Sequence, residues 1–225
     1  GVKVRVGGGD MVDDLRRTFS REENTVADKI LGVPTAIVGG FSGAVGRADH
    51  YNPYADSVQS YSGDPAVLAH ELGHAADFNK RRGAGGAAYR LARPATSIAA
   101  SLAGQLASGS QAIGRSVSGA AVAPLTLYME AKATENALKG KALQEEMARQ
   151  YGVDSPEEAT AQARNILLPA YGTYAGGALG AGLGLGSALM GIKADKRLAL
   201  LPIGGALAGH AISRGYNALS DKKNY

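Results

Sequence analysis

His70-Glu71-Leu72-Gly73-His74 sets two imidazoles and a carboxylate at a spacing suited to metal chemistry. Residues four apart on an α-helix share one face, a turn apart. His70 and His74 would therefore offer two nitrogens to a single divalent cation, at the 2.0–2.1 Å or so that zinc requires. Glu71 is angled around the helix, where its carboxylate meets a metal-activated water and takes its proton as attack on a carbonyl begins. Only four histidines occur in the chain, so chance formation of this pattern is rare.

The flanking residues predict the helix that the pattern needs. Asp64-Pro65 supplies an N-cap and a proline at the first helical position, where a missing N–H costs nothing. Ala66, Val67, Leu68, Ala69, Leu72, Ala75, Ala76 and Phe78 keep the segment helical and apolar. Lys80, Arg81, Arg82 and Gly83 give a cationic end and a stop. Upstream, Asp56, Ser57, Val58, Gln59, Ser60 and Tyr61 alternate as a short strand does.

Two histidines leave a catalytic zinc centre one protein ligand short, with the fourth position reserved for water. No G-x-x-H follows His74. Asp77 shares the histidine face but lies a further turn along the axis, so it reads as an acid supporting a histidine or as an alternative ligand. Glu130 is the better source: Glu130, Ala133, Thr134 and Ala137 fall on one helical face, and the small residues admit a close helix neighbour. Glu135 is the competing ligand. Tyr128, Tyr51, Tyr54 and His50 are the candidates to stabilise an oxyanion, with none assigned.

With these residues the chain resembles the zincin metallopeptidases, and its Glu130 segment resembles the glutamate helix of the gluzincins, in which alanine follows the ligand at +3. Similar E-x-x-A runs occur in lethal-factor-type toxins, in phage-repressor-cleaving peptidases and in membrane-embedded CAAX-processing-type proteases. The string ending at Asp77 is also similar to that of the lethal-factor type. The resemblance implies a Zn²⁺ site at His70, His74 and Glu130, with Glu71 as general base. It also implies that an edge strand over residues 56–61 docks an extended peptide by strand addition. Several of these families carry an aspartate where this chain has Thr134, which would leave Asp77 or Glu135 to support a ligand histidine.

At 225 residues the chain is long enough for one or two domains. The absence of cysteine excludes a disulfide framework, a thiol nucleophile and cysteine-ligated zinc. Glycine occurs 32 times, about twice the usual 7%. Val2–Val6 alternates like a strand and has no apolar core of a signal peptide. Residues 1–80 carry 8 basic and 11 acidic side chains, a net of −3, and residues 81–225 carry 16 and 9, a net of +7. No aromatic-plus-basic stripe accompanies the positive part, so no nucleic-acid partner is expected.

The basic part is also the uncharged part. Residues 94–114, 116–129, 165–192 and 198–213 lack Asp, Glu, Lys and Arg altogether. The longest exceeds the ~20 residues of a bilayer span, and Gly172, Gly176, Gly180 and Gly184, repeated by Gly205 and Gly209, form ladders that admit close helix packing. The expectation is a transmembrane or protein-buried hairpin with its polar turn at Lys193–Arg197, and membrane association or helical self-assembly through the ladders.

The expected fold is α+β and predominantly helical, a zincin-like catalytic unit carrying glycine- and alanine-rich hydrophobic hairpins. Residues 1–93 form the N-terminal part with the H-E-x-x-H helix. Residues 94–129 are a hydrophobic helical insertion, 130–164 the glutamate helix and a connection, and 165–225 a glycine-rich hairpin with a basic tail. Residues 2–6 and 35–38 read as strands and 10–31 as a helix whose Met11, Val12, Leu15, Phe19, Val26 and Ile30 are core. The expected function is zinc-dependent endoproteolysis of a peptide or protein substrate, at a membrane or within a larger particle such as a virion. The alternative is a structural or membrane-penetrating component with an active or vestigial peptidase fold.

Overall fold

The computed structural model describes residues 1–6, 10–46, 49–81, 83–109, 111–189, 204–212 and 214. The expected turn at 193–197 and the basic tail beyond 214 lie outside the described residues. The fold is α+β and predominantly helical, with a three-stranded sheet. Two compact units divide the chain: residues 1–91 with 132–164, and residues 92–131 with 165–225.

The first unit opens with β1 (Lys3–Val6), α1 (Met11–Ser20), α2 (Val26–Gly46), β2 (His50–Asn52), β3 (Ser57–Ser60) and α3 (Pro65–Lys80). Sheet order is β1-β3-β2, with β1 parallel and β2 antiparallel to β3. The strand expected at an edge is thus the centre of the sheet, flanked on both sides. Strand pairing is non-local, and a three-residue β2 is too short to announce itself in sequence.

One carboxylate organises a face of the sheet. Asp14 on α1 is fully buried and accepts hydrogen bonds from Ser57 Oγ at 2.8 Å, Gln59 Nε2 at 3.0 Å and Asn52 Nδ2 at 3.1 Å, while Arg5 pairs with it from β1. A buried carboxylate is tolerated because each partner replaces a lost water. The alternation of the strand turns Val58 to the other face, where Tyr51 lies opposite it in register. The Tyr51 ring meets Phe78 of α3 at 5.6 Å.

Helices α1 and α2 depart from three sequence expectations. The helix over 10–31 breaks at Arg21–Thr25, because Asn24 donates to the Thr18 and Tyr54 carbonyls and Thr25 and Asp28 cap α2 reciprocally. Thr35–Val38 continues α2 rather than forming a strand, with Thr35 Oγ1 bonded to the Leu31 carbonyl at 2.8 Å. Met11, Val12, Phe19, Val26 and Ile30 are exposed rather than core. The packed face of α1 is the polar one, Asp14 and Thr18, which serves the cluster beneath the sheet.

The same unit takes in residues 132–139 of α5 (Gln111–Lys139), all of α6 (Lys141–Tyr151) and the first turns of α7 (Pro156–Leu189). Alanine dominates their contacts: Ala133, Ala137, Ala159 and Ala163 are fully buried.

In the second unit, α4 (Gly83–Ser108) contributes its residues from Ala92 onward and turns into α5 at Gly109, whose φ of 64° suits glycine. Ser97 and Ser118 hydroxyls bond across that hairpin at 2.8 Å. The glycine ladder packs within the chain: a Cβ at Gly176 would overlap the Gly205 carbonyl oxygen, and one at Gly209 that of Gly172. The transmembrane expectation is overturned, since no helix among the described residues is long and apolar enough to cross a membrane. The uncharged runs have the length but are built of Ala, Gly and Ser, whose transfer into lipid gains little.

Candidate metal centre

Helix α3 is fixed at its start before it presents any chemistry. Asp64 Oδ1 accepts from the Ala66 and Val67 amides at 2.8 and 3.2 Å, and Tyr151 of α6 reaches both the Ala66 amide and Asp64. Asp49 holds the approach, accepting from the Tyr61 and Ser62 amides and both serine hydroxyls of 60–62.

From this helix His70 and His74 project side by side, ring centroids 4.8 Å apart and edge to face. The helix α5 meets them from the Gly73 side. A Cβ at Gly73 would overlap the Ala133 carbonyl oxygen, so the two backbones touch directly at this crossing. Asn136 Nδ2 bonds the Gly73 carbonyl at 3.0 Å. Thr134 Oγ1 lies 3.3 Å from His70 Nδ1. One turn before Thr134 on the same unbroken helix stands Glu130, only 6% exposed. Donor atoms of His70, His74 and Glu130 all fall within 4.8 Å of one another.

That donor set fits zinc. Two imidazoles and a glutamate are one of the ligand sets of open, catalytic zinc sites. Bonds of about 2.0–2.2 Å at tetrahedral angles hold donors roughly 3.4 Å apart, so side-chain rotation closes the remaining distance. With Nδ1 of His70 against Thr134, Nε2 would be the nitrogen offered to a metal. Glu71, buried at 9% exposure, is about 100° around α3 from His70 and about 160° from Gly73. The Glu71 carboxylate and helix α5 therefore flank the histidines from opposite sides.

The other sequence candidates lie elsewhere. Asp77 accepts from Tyr89 Oη at 2.6 Å and pairs with Arg81 at 3.6 Å. Glu135 is held by Lys132 at 2.7 Å and Lys139 at 3.1 Å on an exposed face. Neither belongs to the three-donor group, and neither supports a histidine; Thr134 itself occupies that position. Sequence reasoning passed over Thr134 as a departure from a pattern, although its place on the Glu130 face was the available signal.

The side chains of segment 56–61 are engaged within the fold. Asp56 adopts φ 50°, receives the Tyr51 hydroxyl at 2.9 Å and pairs with Arg21 at 3.2 Å. Ser57 and Gln59 are committed to Asp14, Val58 and Ser60 are buried, and Tyr61 is held through its amide by Asp49. Tyr51 and Tyr54 are no better placed as oxyanion donors. Burial pushes both phenols up to about 12, and their hydroxyls go to Asp56 and, at 3.4 Å, to the Arg90 carbonyl.

No protein-family model, curated protein or solved structure matches this chain.

Proposed function

We propose that the chain is a zinc-dependent endopeptidase of zincin-like, gluzincin-type organisation. The observation that carries this reading is the convergence of His70, His74 and Glu130 donors within 4.8 Å, with Glu71 adjacent on the helix. Zinc held there supplies Lewis acidity, polarising a carbonyl and acidifying water. His70 and His74 would hold the metal through neutral nitrogens and Glu130 through a single negative charge. Glu71 takes the proton of the attacking water and returns it to the leaving amine. The substrate strand is not β3, which is paired on both sides. β2 is the terminal strand on the antiparallel side and packs beside α3, so an extended peptide adds there.

A structural role in a larger assembly is the second reading. It is favoured by Ile98, Leu102 and Leu106, exposed along one side of α4 at a spacing of four. Metal analysis of the purified protein separates the two. Near-stoichiometric zinc, together with peptides cut by wild type and spared by Glu71→Gln, supports the enzyme. A folded protein that takes up no zinc supports the structural reading.

A further inference from the structure

We infer that Asn136 and Gly73 are positioning residues that set the reach of Glu130 to the metal, an inference that rests on the zinc reading above. Glu130 is the one ligand contributed from outside α3, so its distance from the two histidines depends on how closely α5 approaches. That approach is fixed by a backbone contact rather than by side-chain packing. A Cβ at Gly73 would lie 3.0 Å from the Ala133 carbonyl carbon and 3.1 Å from its Cα, against the ~3.5–4.0 Å of ordinary carbon contacts. Any side chain at 73 therefore displaces α5 by roughly half an ångström or more. Ligand distances in zinc sites tolerate about 0.2 Å.

Contact alone prevents closer approach; something must also hold the helices together. Asn136 does this, with its amide on the Gly73 carbonyl at 3.0 Å and its Oδ1 receiving Lys80 Nζ at 3.3 Å. Both ends of the amide are thereby tied to α3, at its middle and at its last residue. The clamp sits on the C-terminal side of Glu130, less than two turns away on a continuous helix, so its hold passes directly to the ligand. On the other side, Pro124 lacks the amide that would bond four residues back.

The test is zinc affinity of the full chain, measured by competition with a chromogenic chelator, for wild type, Asn136→Ala, Asn136→Asp, Glu130→Ala and the Glu130→Ala/Asn136→Ala pair. Both Asn136 variants should bind zinc roughly 10–100-fold more weakly, the range for losing a group that orients a ligand. In the Glu130→Ala background, Asn136→Ala should have no further effect, because its influence passes through Glu130. Gly73→Ala should weaken binding likewise where it folds, and the Asn136 variants carry the test where it does not. Equal affinity in Asn136→Ala and wild type, or an additive loss in the double variant, overturns the inference while leaving the zinc reading intact. Failure of wild type to bind Zn²⁺ removes both.

Discussion

Thr134 and His70 are coupled through a 3.3 Å contact between Oγ1 and Nδ1, and that contact would leave Nε2 as the nitrogen offered to a metal. A histidine bonded at Nδ1 presents Nε2 in a fixed plane, and the bond made by the other nitrogen tunes its basicity. Replacing Thr134 by valine keeps the shape and removes the oxygen. Zinc affinity should fall by about 10–100-fold, while Thr134→Ser should stay close to wild type. Equal affinities for threonine and valine would show the contact to be incidental.

Glu71 is tested by Glu71→Gln, which preserves the side-chain volume and leaves the three donors in place. Peptide turnover should drop by at least ~10²–10⁴, the range for a general base, with zinc content unchanged. Retained turnover would end the proposed chemistry.

The choice of third ligand is tested by three alanine variants. Glu130→Ala should weaken zinc binding sharply. Glu135→Ala should not, since that carboxylate is occupied by Lys132 and Lys139. Asp77→Ala should lower stability through loss of the Tyr89 and Arg81 contacts and leave zinc affinity alone. Zinc lost on removing Asp77 or Glu135 but not Glu130 would show that Glu130 is not the third ligand.

Acid sensitivity should centre on Asp28 and Arg90, a bidentate pair at 3.0 and 3.1 Å. Burial alone would raise the Asp28 carboxyl, but bonds from Arg90 and from the Thr25 amide and hydroxyl hold it below its usual 3.8. A depressed folded value contributes stability that is fully present above pH 3.8 and is lost as pH falls through the folded value. Arg90→Leu strands the buried carboxylate and should cost about 3–5 kcal/mol at neutral pH. That cost should shrink on acidification, as Asp28 takes a proton; chemical denaturation at neutral and acid pH checks both.

The glycine ladder makes a prediction for the second unit. Gly176→Leu drives a side chain into the Gly205 carbonyl and should destabilise by ~1–3 kcal/mol or more. Gly182→Ala has open space at its Cβ and should be tolerated. Thermal unfolding of the two variants provides the comparison.

What could be read from sequence was local. The His70/His74 pair and the Glu130, Ala133, Thr134, Ala137 face both follow from helical period, whereas the Thr25-x-x-Asp28 cap that starts α2 was lost inside a continuous helical reading of 10–31. Non-local partners were not legible. Nothing in Ser57–Ser60 says that strands lie on both sides, because pairing depends on β1 and β2 arriving from elsewhere. Nor could the apolar residues of α1 reveal that its polar side faces inward, since the reason is the bond between Asp14 and Ser57, 43 residues further along the chain. Charge-free length misled for a simpler reason: absence of charge is not hydrophobicity.

The Asp14 cluster has a consequence for how reliably the sheet aligns. Ser57 and Gln59 both donate to this one carboxylate, and they do so because they are two apart on β3. Sliding β3 by a single residue would turn both away and set Val58 and Ser60 over Asp14. The slipped sheet would keep its backbone bonds, yet Asp14 would lose donors that no water could replace. A misaligned strand is thus penalised at a buried anion, and the short sheet beneath α3 is held to one alignment by solvation rather than by length.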